Sequence, residues 1–259
     1  MMRFLSVLTI MLGCAGALAR EIPRHPAEAG SAWGKLAGTT VTIQTVDGVN
    51  LVGIHQPSTQ GSTLTVVMIP MLGSAMESYH ELAAELQKRG HGTLVYDQRG
   101  HGLSRQSKSG AVDYRRFTDG PSGDWARTAD DLGAVVDWLV TKGTAPDQIA
   151  IVGASIGSSA ALLYAQRNPT VSPLVLLSPG ENYRGLNVMA AASQIKGRNV
   201  LIVTGTEDKY SRESSQKLVQ AMRNGGSNVD LQEIGTSNHG TTMLIEQTVR
   251  QIASWLETH

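Results

Sequence analysis

The sequence predicts an α/β fold, a mostly parallel sheet with helices packed on both faces. Short apolar runs such as Leu64 to Ile69 and Ile149 to Val152 alternate with helix-length segments, and strands spaced by helix-sized intervals imply βα crossovers. The runs are continuously apolar rather than alternating, which suits strands covered on both sides. One of them leads directly into Gly153-Ala154-Ser155-Ile156-Gly157, where small residues let a strand turn sharply into a helix and present the Ser at the turn.

With 259 residues, 41% hydrophobic and 17% charged, the chain has ordinary globular composition and enough length to bury a substantial core. There is no internal repeat. Its 22 basic and 22 acidic residues form no long run of like charge, so no broad field would draw in nucleic acid. The most basic stretch, Arg99 to Arg116, is broken by Asp113 and reads as a solvated loop.

Residues 1–19 read as a secretory signal peptide. Met1-Met2-Arg3 is the positive end, Phe4 to Leu12 the apolar run and Ala17-Leu18-Ala19 the cleavage signal. The run is too short to span a membrane. Cleavage after Ala19 removes Cys14, the sole cysteine, and leaves no internal disulfide. This suits a bacterial periplasmic or secreted protein. In an alternative reading, Met11-Leu12-Gly13-Cys14 is a lipoprotein signal, Cys14 carries a lipid anchor and the protein is membrane-tethered. Residues 20–37 form an N-terminal arm, and 38–259 a single domain.

The domain opens with a hairpin, Thr39 to Thr45 and Leu51 to His55 around the Asp47-Gly48 turn. Strand Leu64 to Ile69 precedes a helix over Tyr79 to Arg89, closed by Gly90. Strand Thr93 to Tyr96 follows. A helix over Asp124 to Val140 is marked by Ala129, Leu132, Val135, Val136 and Leu139 at intervals of three and four. Ile149 to Val152 leads to the Ser155 turn and a helix to Arg167. Pro173 to Leu177, Val200 to Val203 and Val229 to Gln232 are the remaining strands, with helices over Ser214 to Arg223 and Thr242 to Leu256.

Function in such sheets collects at the carboxyl ends of the strands. Ser155 lies at one such end, Asp208 at a second and His239 at a third. A Ser hydroxyl is a weak nucleophile until an imidazole takes its proton, and a carboxylate must hold that imidazole in the right tautomer. The order Ser, acid, His is the one this architecture uses. Asp208 is preferred to Glu207 because the acid lies a few residues past the end of its strand, and the alternative reading of Asp208 is a turn-capping Asp in a Gly-Thr-rich loop. Among the other histidines only His101 competes with His239, and its position suits a structural loop. The developing oxyanion needs preorganised donors. These are expected from the backbone N–H of Ile156 and that of Leu72, with Met71 as the alternative to Leu72.

These features, with the loop Asp97-Gln98-Arg99-Gly100-His101-Gly102-Leu103-Ser104, resemble the α/β-hydrolase superfamily, and in particular its esterase-like members, over residues 38–259. The resemblance implies an eight-stranded, mostly parallel sheet, an acyl-enzyme intermediate and no metal or organic cofactor. It also implies that Arg99 and His101 organise the site without reacting. Pro70-Met71 stands where many relatives have His-Gly, a departure in the loop that carries Leu72. Only Ser178 to Asn199 separates two strands where relatives insert a lid, too little for a large cap.

A serine hydrolase acting on small carboxylic ester or acyl substrates is the leading expectation. A thioesterase or peptidase with the same triad, or a non-catalytic binding protein on the same scaffold, are the alternatives. Met71, Tyr114, Phe117, Trp125, Tyr183 and Leu186 are expected to shape the substrate pocket. Arg115, Arg116 and Arg184 stand at its rim, where they would favour an anionic group. The aromatics would serve equally as anchors for long loops.

Overall fold

A computed structural model describes residues 36–59 and 64–259. The signal segment, Cys14 and most of the arm lie outside the described residues. The described residues build twelve strands, β1 (Thr39–Gln44), β2 (Val49–Gln56), β3 (Thr65–Ile69), β4 (Gly92–Tyr96), β5 (Gln106–Ser107), β6 (Gly110–Ala111), β7 (Ile149–Ala154), β8 (Leu174–Leu177), β9 (Asn182–Tyr183), β10 (Leu186–Asn187), β11 (Asn199–Gly205) and β12 (Asn228–Ile234). The described residues also form six α-helices, α1 (His80–Lys88), α2 (Thr128–Thr141), α3 (Ile156–Arg167), α4 (Met189–Gln194), α5 (Lys209–Asn224) and α6 (Glu246–Thr258).

One sheet runs in the order β12-β11-β8-β7-β3-β4-β2-β5-β6, with β1 also on β2. Pairing is parallel from β12 through to β4 and antiparallel beyond. The sheet therefore has ten strands rather than the eight expected. The two extra are the short ladders β5 and β6. They exist because β2 pairs with β4 only over Gly53 to Gln56, leaving Val49 and Asn50 to pair with Ser107 and Gln106. An open edge is filled by chain that carries no hydrophobic period, so nothing in the sequence pattern announces it.

Alternation along the buried strands splits the core in two. Val67 and Ile69 of β3 point to a layer made by α2, α3, α4 and α5, which contribute Leu132, Leu162, Ala192 and Leu218. Val66 and Met68 point the other way, to Leu82 and Leu86 of α1 and Ile252 and Leu256 of α6. Both faces are covered, which is why these strands read as continuous apolar runs.

The turn from β7 into α3 is held at close quarters. A Cβ on Gly157 would lie 2.6 Å from the Ile69 carbonyl oxygen and 2.8 Å from that of Pro70. A Cβ on Gly153 would strike the Gly157 carbonyl. Gly157→Ala is therefore expected to destabilise the protein by about 1–3 kcal/mol. Gly133→Ala, within α2 and only 3.5 Å from Tyr164, is expected to stabilise it by about 0.5–1 kcal/mol. Urea midpoints of the two variants check the contrast.

Candidate active site

Ser155 occupies the corner between β7 and α3, with φ 52° and ψ −118°. A non-glycine residue at positive φ costs about 1–3 kcal/mol and persists only where its surroundings fix it. Here the Ser155 N–H donates to the Leu177 carbonyl at 2.8 Å, and the Ser155 carbonyl accepts from the Ser158 N–H at 2.9 Å. The strain is held by β8 on one side and by the first turn of α3 on the other. Ile156 opens α3, so its N–H has no carbonyl four residues earlier within the helix to bond.

Asp208 and His239 are brought together. The His239 Nδ1 lies 2.5 Å from Asp208 Oδ2. Asp208 Oδ1 accepts from the Ser211 N–H at the start of α5, so this residue caps a helix and faces the imidazole at once. Glu207 is exposed. The His239 loop closes on the Ser155 turn, since a Cβ on Gly240 would lie 3.6 Å from Ala154 Cβ and 2.8 Å from the Met71 sulfur.

Two residues that the sequence reading missed fix the His239 backbone. Thr242 Oγ1 accepts from the His239 N–H at 3.0 Å and donates to its carbonyl at 2.8 Å. Ser178 Oγ, at the end of β8, accepts from the Gly240 N–H at 2.9 Å. Ser178 itself sits at φ 46°. A Thr three residues after His239 was the available signal for the first, while the second spans the fold and leaves no pattern in the sequence.

The loop Asp97 to Ser104 fastens the segment after β3 at three points. Gln98 Nε2 donates to the Pro70 carbonyl at 2.6 Å, His101 Nε2 accepts from the Gly73 N–H at 3.1 Å, and Asp97 Oδ1 accepts from the Met76 N–H at 2.8 Å. Leu72 lies between the first two. His101 Nδ1 meets the Arg99 carbonyl at 3.0 Å and must donate to it, which makes Nε2 the acceptor and the ring neutral. Its ring stacks on Tyr114 at 3.9 Å. Arg99 is fixed in turn by Asp131 at 2.6 Å and by Asp47 at 2.9 Å. Burial opposes the Arg99 charge, but these carboxylates hold it above its ordinary range.

Burial takes the His101 imidazole from 6.5 down to about 4. Between those values the unfolded side chain carries a proton that the folded one refuses, so this contribution is complete above about pH 6.5 and falls as pH drops toward 4. The stability lost between pH 7 and pH 5 is expected to shrink by about 2 kcal/mol in His101→Asn. Urea unfolding at the two pH values measures it. The half-buried His55 and the buried His91, both held below the ordinary imidazole range by burial, and the buried Asp131, raised by burial, are common to both proteins and cancel in the difference.

Around Ser155 and Ile156 lies a small packed cluster. Trp125, Ile156 and Leu186 are buried at its centre, with Leu72, Tyr114, Phe117 and Tyr183 against them. Trp125 and Leu186 are 1% and 2% exposed and sit at the centre of this cluster, while Met71, Tyr114, Phe117 and Tyr183 are half-buried. The Tyr183 ring meets His239 edge-on at 6.1 Å. Burial, followed by the Asp208 charge, pushes its phenol well above the ordinary range, partly offset by a hydrogen bond with the Ser155 side chain. Two of the three cations expected at a pocket rim have acidic neighbours. Arg115 pairs with Asp113 at 2.7 Å, and Arg184 lies 3.8 Å from Asp119 and over the Trp125 ring. Among the described residues no group of three or more His, Cys, Asp or Glu is arranged to hold a metal ion, and no helix is long and apolar enough to cross a membrane.

Residues 62–198 match the hydrolase family described as serine aminopeptidase, S33, over just more than half of the chain. The chain belongs to this family. The matched S33 region contains Ser155 and the loop around His101, and ends before Asp208 and His239. The chain is 31% identical over 147 residues to an uncharacterized protein of Mycobacterium tuberculosis; the alignment takes in 55% of this chain and 46% of that one. It thus spans about half the length of the curated relatives it matches.

Solved structures share the S33 protein's α/β-hydrolase fold, without a large lid insertion. An esterase of Pyrococcus furiosus is 22% identical with a TM-score of 0.67, covering 90% of this chain and 95% of its own. A dienelactone hydrolase of Anabaena variabilis is 20% identical with a TM-score of 0.64, covering 86% and 98%. An esterase of Exiguobacterium antarcticum is 15% identical with a TM-score of 0.63, covering 85% and 100%.

Proposed function

We propose that this S33-family protein hydrolyses carboxylic esters through an acyl-enzyme on Ser155. The observation that carries the reading is the 2.5 Å contact of Asp208 with His239 Nδ1, on a loop that closes over the strained Ser155 turn. With Nδ1–H donated to Asp208, Nε2 is left as the base that takes the Ser155 proton during attack on the ester carbonyl. The negative oxygen is received by the N–H groups of Ile156 and Leu72. His239 then protonates the departing alcohol, and the same imidazole activates water to release the acid.

The esterases and the dienelactone hydrolase of like fold favour ester cleavage, and the family description favours amide cleavage next to a free amine. A substrate panel separates them. Short p-nitrophenyl esters, acyl thioesters and aminoacyl p-nitroanilides are assayed with the wild type and Ser155→Ala. Esters are expected to give the highest kcat/KM. Preference for the aminoacyl anilides would make it a peptidase, and no turnover of any class would make it a binding protein.

Residues 1–19 are proposed as a cleaved export signal, giving a periplasmic or secreted enzyme. Mass analysis of the mature protein expressed in a bacterium is expected to find Arg20 at its N-terminus. A diacylated Cys14 there would instead mean a lipoprotein.

A further inference from the structure

We propose that Leu186 is the residue that limits acyl-chain length, a plug between the Ser155 site and an apolar cavity behind it. The inference rests on the ester-hydrolase reading above. Leu186 faces Tyr183 across the two-residue ladder of β9 and β10, and directly paired residues of an antiparallel ladder project from the same face. Tyr183 reaches His239, so Leu186 is the next side chain inward. It is 2% exposed and packs with Ile156 and Trp125.

Beyond it lies a cavity of about 240 Å³ open to solvent, whose apolar lining is Pro121, Ala126, Ala129, Leu163 and Leu186. Ala126 and Leu163 belong to the same packed cluster as Ile156. The wall between site and cavity is therefore one side-chain layer, and Leu186 belongs to both surfaces. An apolar void of about 150 Å³ is enough to hold a six-membered hydrocarbon ring. The volume beyond the plug suits several methylenes.

The polar side chains of the lining each have a partner of their own. Gln166 donates to Gln194 at 2.7 Å, Arg167 pairs with Asp130 at 2.9 Å, and Asn187 Oδ1 accepts from the Met189 N–H at 3.0 Å. Each of these makes one such bond and the rest of the lining is apolar, so the cavity offers apolar surface more than a binding site for charge. A hydrocarbon tail is the ligand chemistry it fits. In the wild type Leu186 keeps that tail out, and substrates are restricted to short acyl groups.

The test uses p-nitrophenyl esters with acyl chains from acetyl to dodecanoyl. The wild type is expected to favour the short members. In Leu186→Ala the optimum moves to longer chains, each methylene newly buried giving about fourfold in kcat/KM, so the octanoate to butyrate ratio rises tenfold or more. Adding Ala126→Leu to that variant refills the cavity and returns the ratio toward that of the wild type. A merely structural role for Leu186 would lower all chain lengths together and leave the ratio unchanged, which overturns the proposal. Should Leu186→Ala fail to fold, Leu186→Val carries the same prediction with a smaller shift. Failure of the wild type to hydrolyse any ester marks failure of the ester-hydrolase reading itself. A folded, active variant with an unaltered chain-length profile marks failure of the plug alone.

Discussion

Ser155→Ala is expected to lower kcat/KM for the best ester by about 10⁴-fold or more, with the melting temperature held or raised. The two effects have separate causes. Removing the hydroxyl removes the atom that would bond the acyl carbon, and the hydrogen bonds around the imidazole cannot replace it. The fold hardly depends on that hydroxyl, because the corner is held by the Ser155 backbone bonds to Leu177 and Ser158. Residual activity comparable to the wild type would mean that another group attacks. Initial rates together with a thermal melt of the same preparation distinguish loss of chemistry from loss of folding.

Asp208→Asn is expected to reduce kcat by about 10²–10⁴-fold while leaving stability within about 0.5 kcal/mol. Asp208 has two duties, and Asn can perform only one. As the cap of α5 it accepts from the Ser211 N–H, and Asn serves there as well as Asp. Toward His239 it must accept the Nδ1–H. An amide that turns its NH₂ to the ring instead selects the other tautomer, with Nε2 protonated and useless as a base. Asp208→Ala removes both duties and is expected to lose about 1 kcal/mol of stability as well. If Asp208→Asn kept full kcat, the contact with His239 would be structural. Steady-state kinetics and urea unfolding on both variants decide this.

What the sequence disclosed follows from how each element is stabilised. The central strands are covered on both faces, so burial wrote them as apolar runs. α2 and α6 carry one buried stripe each and could be read by period. α5 begins at Lys209, five residues before the expected Ser214, because the Asp208 cap and not an apolar period sets its start. The C-terminal helix begins at Glu246, after a 3₁₀ turn over Gly240–Met243. That turn shapes the backbone at His239. α4 and the ladders β5, β6, β9 and β10 are too short to carry a period.

At the site, residue type and order singled out Ser155, Asp208 and His239. The roles of Gln98 and Ser178 were hidden, since each acts on a distant backbone N–H or carbonyl and many polar residues anywhere in the chain could do that, whereas Thr242 left one local signal, its place three residues after His239. Trp125 and Leu186 were visible as large apolar residues in the right loops. Only the structure shows them buried together against Ile156.

The central claim is that Ser155 is a nucleophile activated by His239, and covalent trapping tests it most directly. A fluorophosphonate is incubated with the folded protein, and the adduct is located by peptide mass analysis. The expected result is one adduct per chain, on Ser155, absent in Ser155→Ala and formed far more slowly in His239→Ala. Labelling at another residue, or a folded wild type that takes up no reagent, would contradict it.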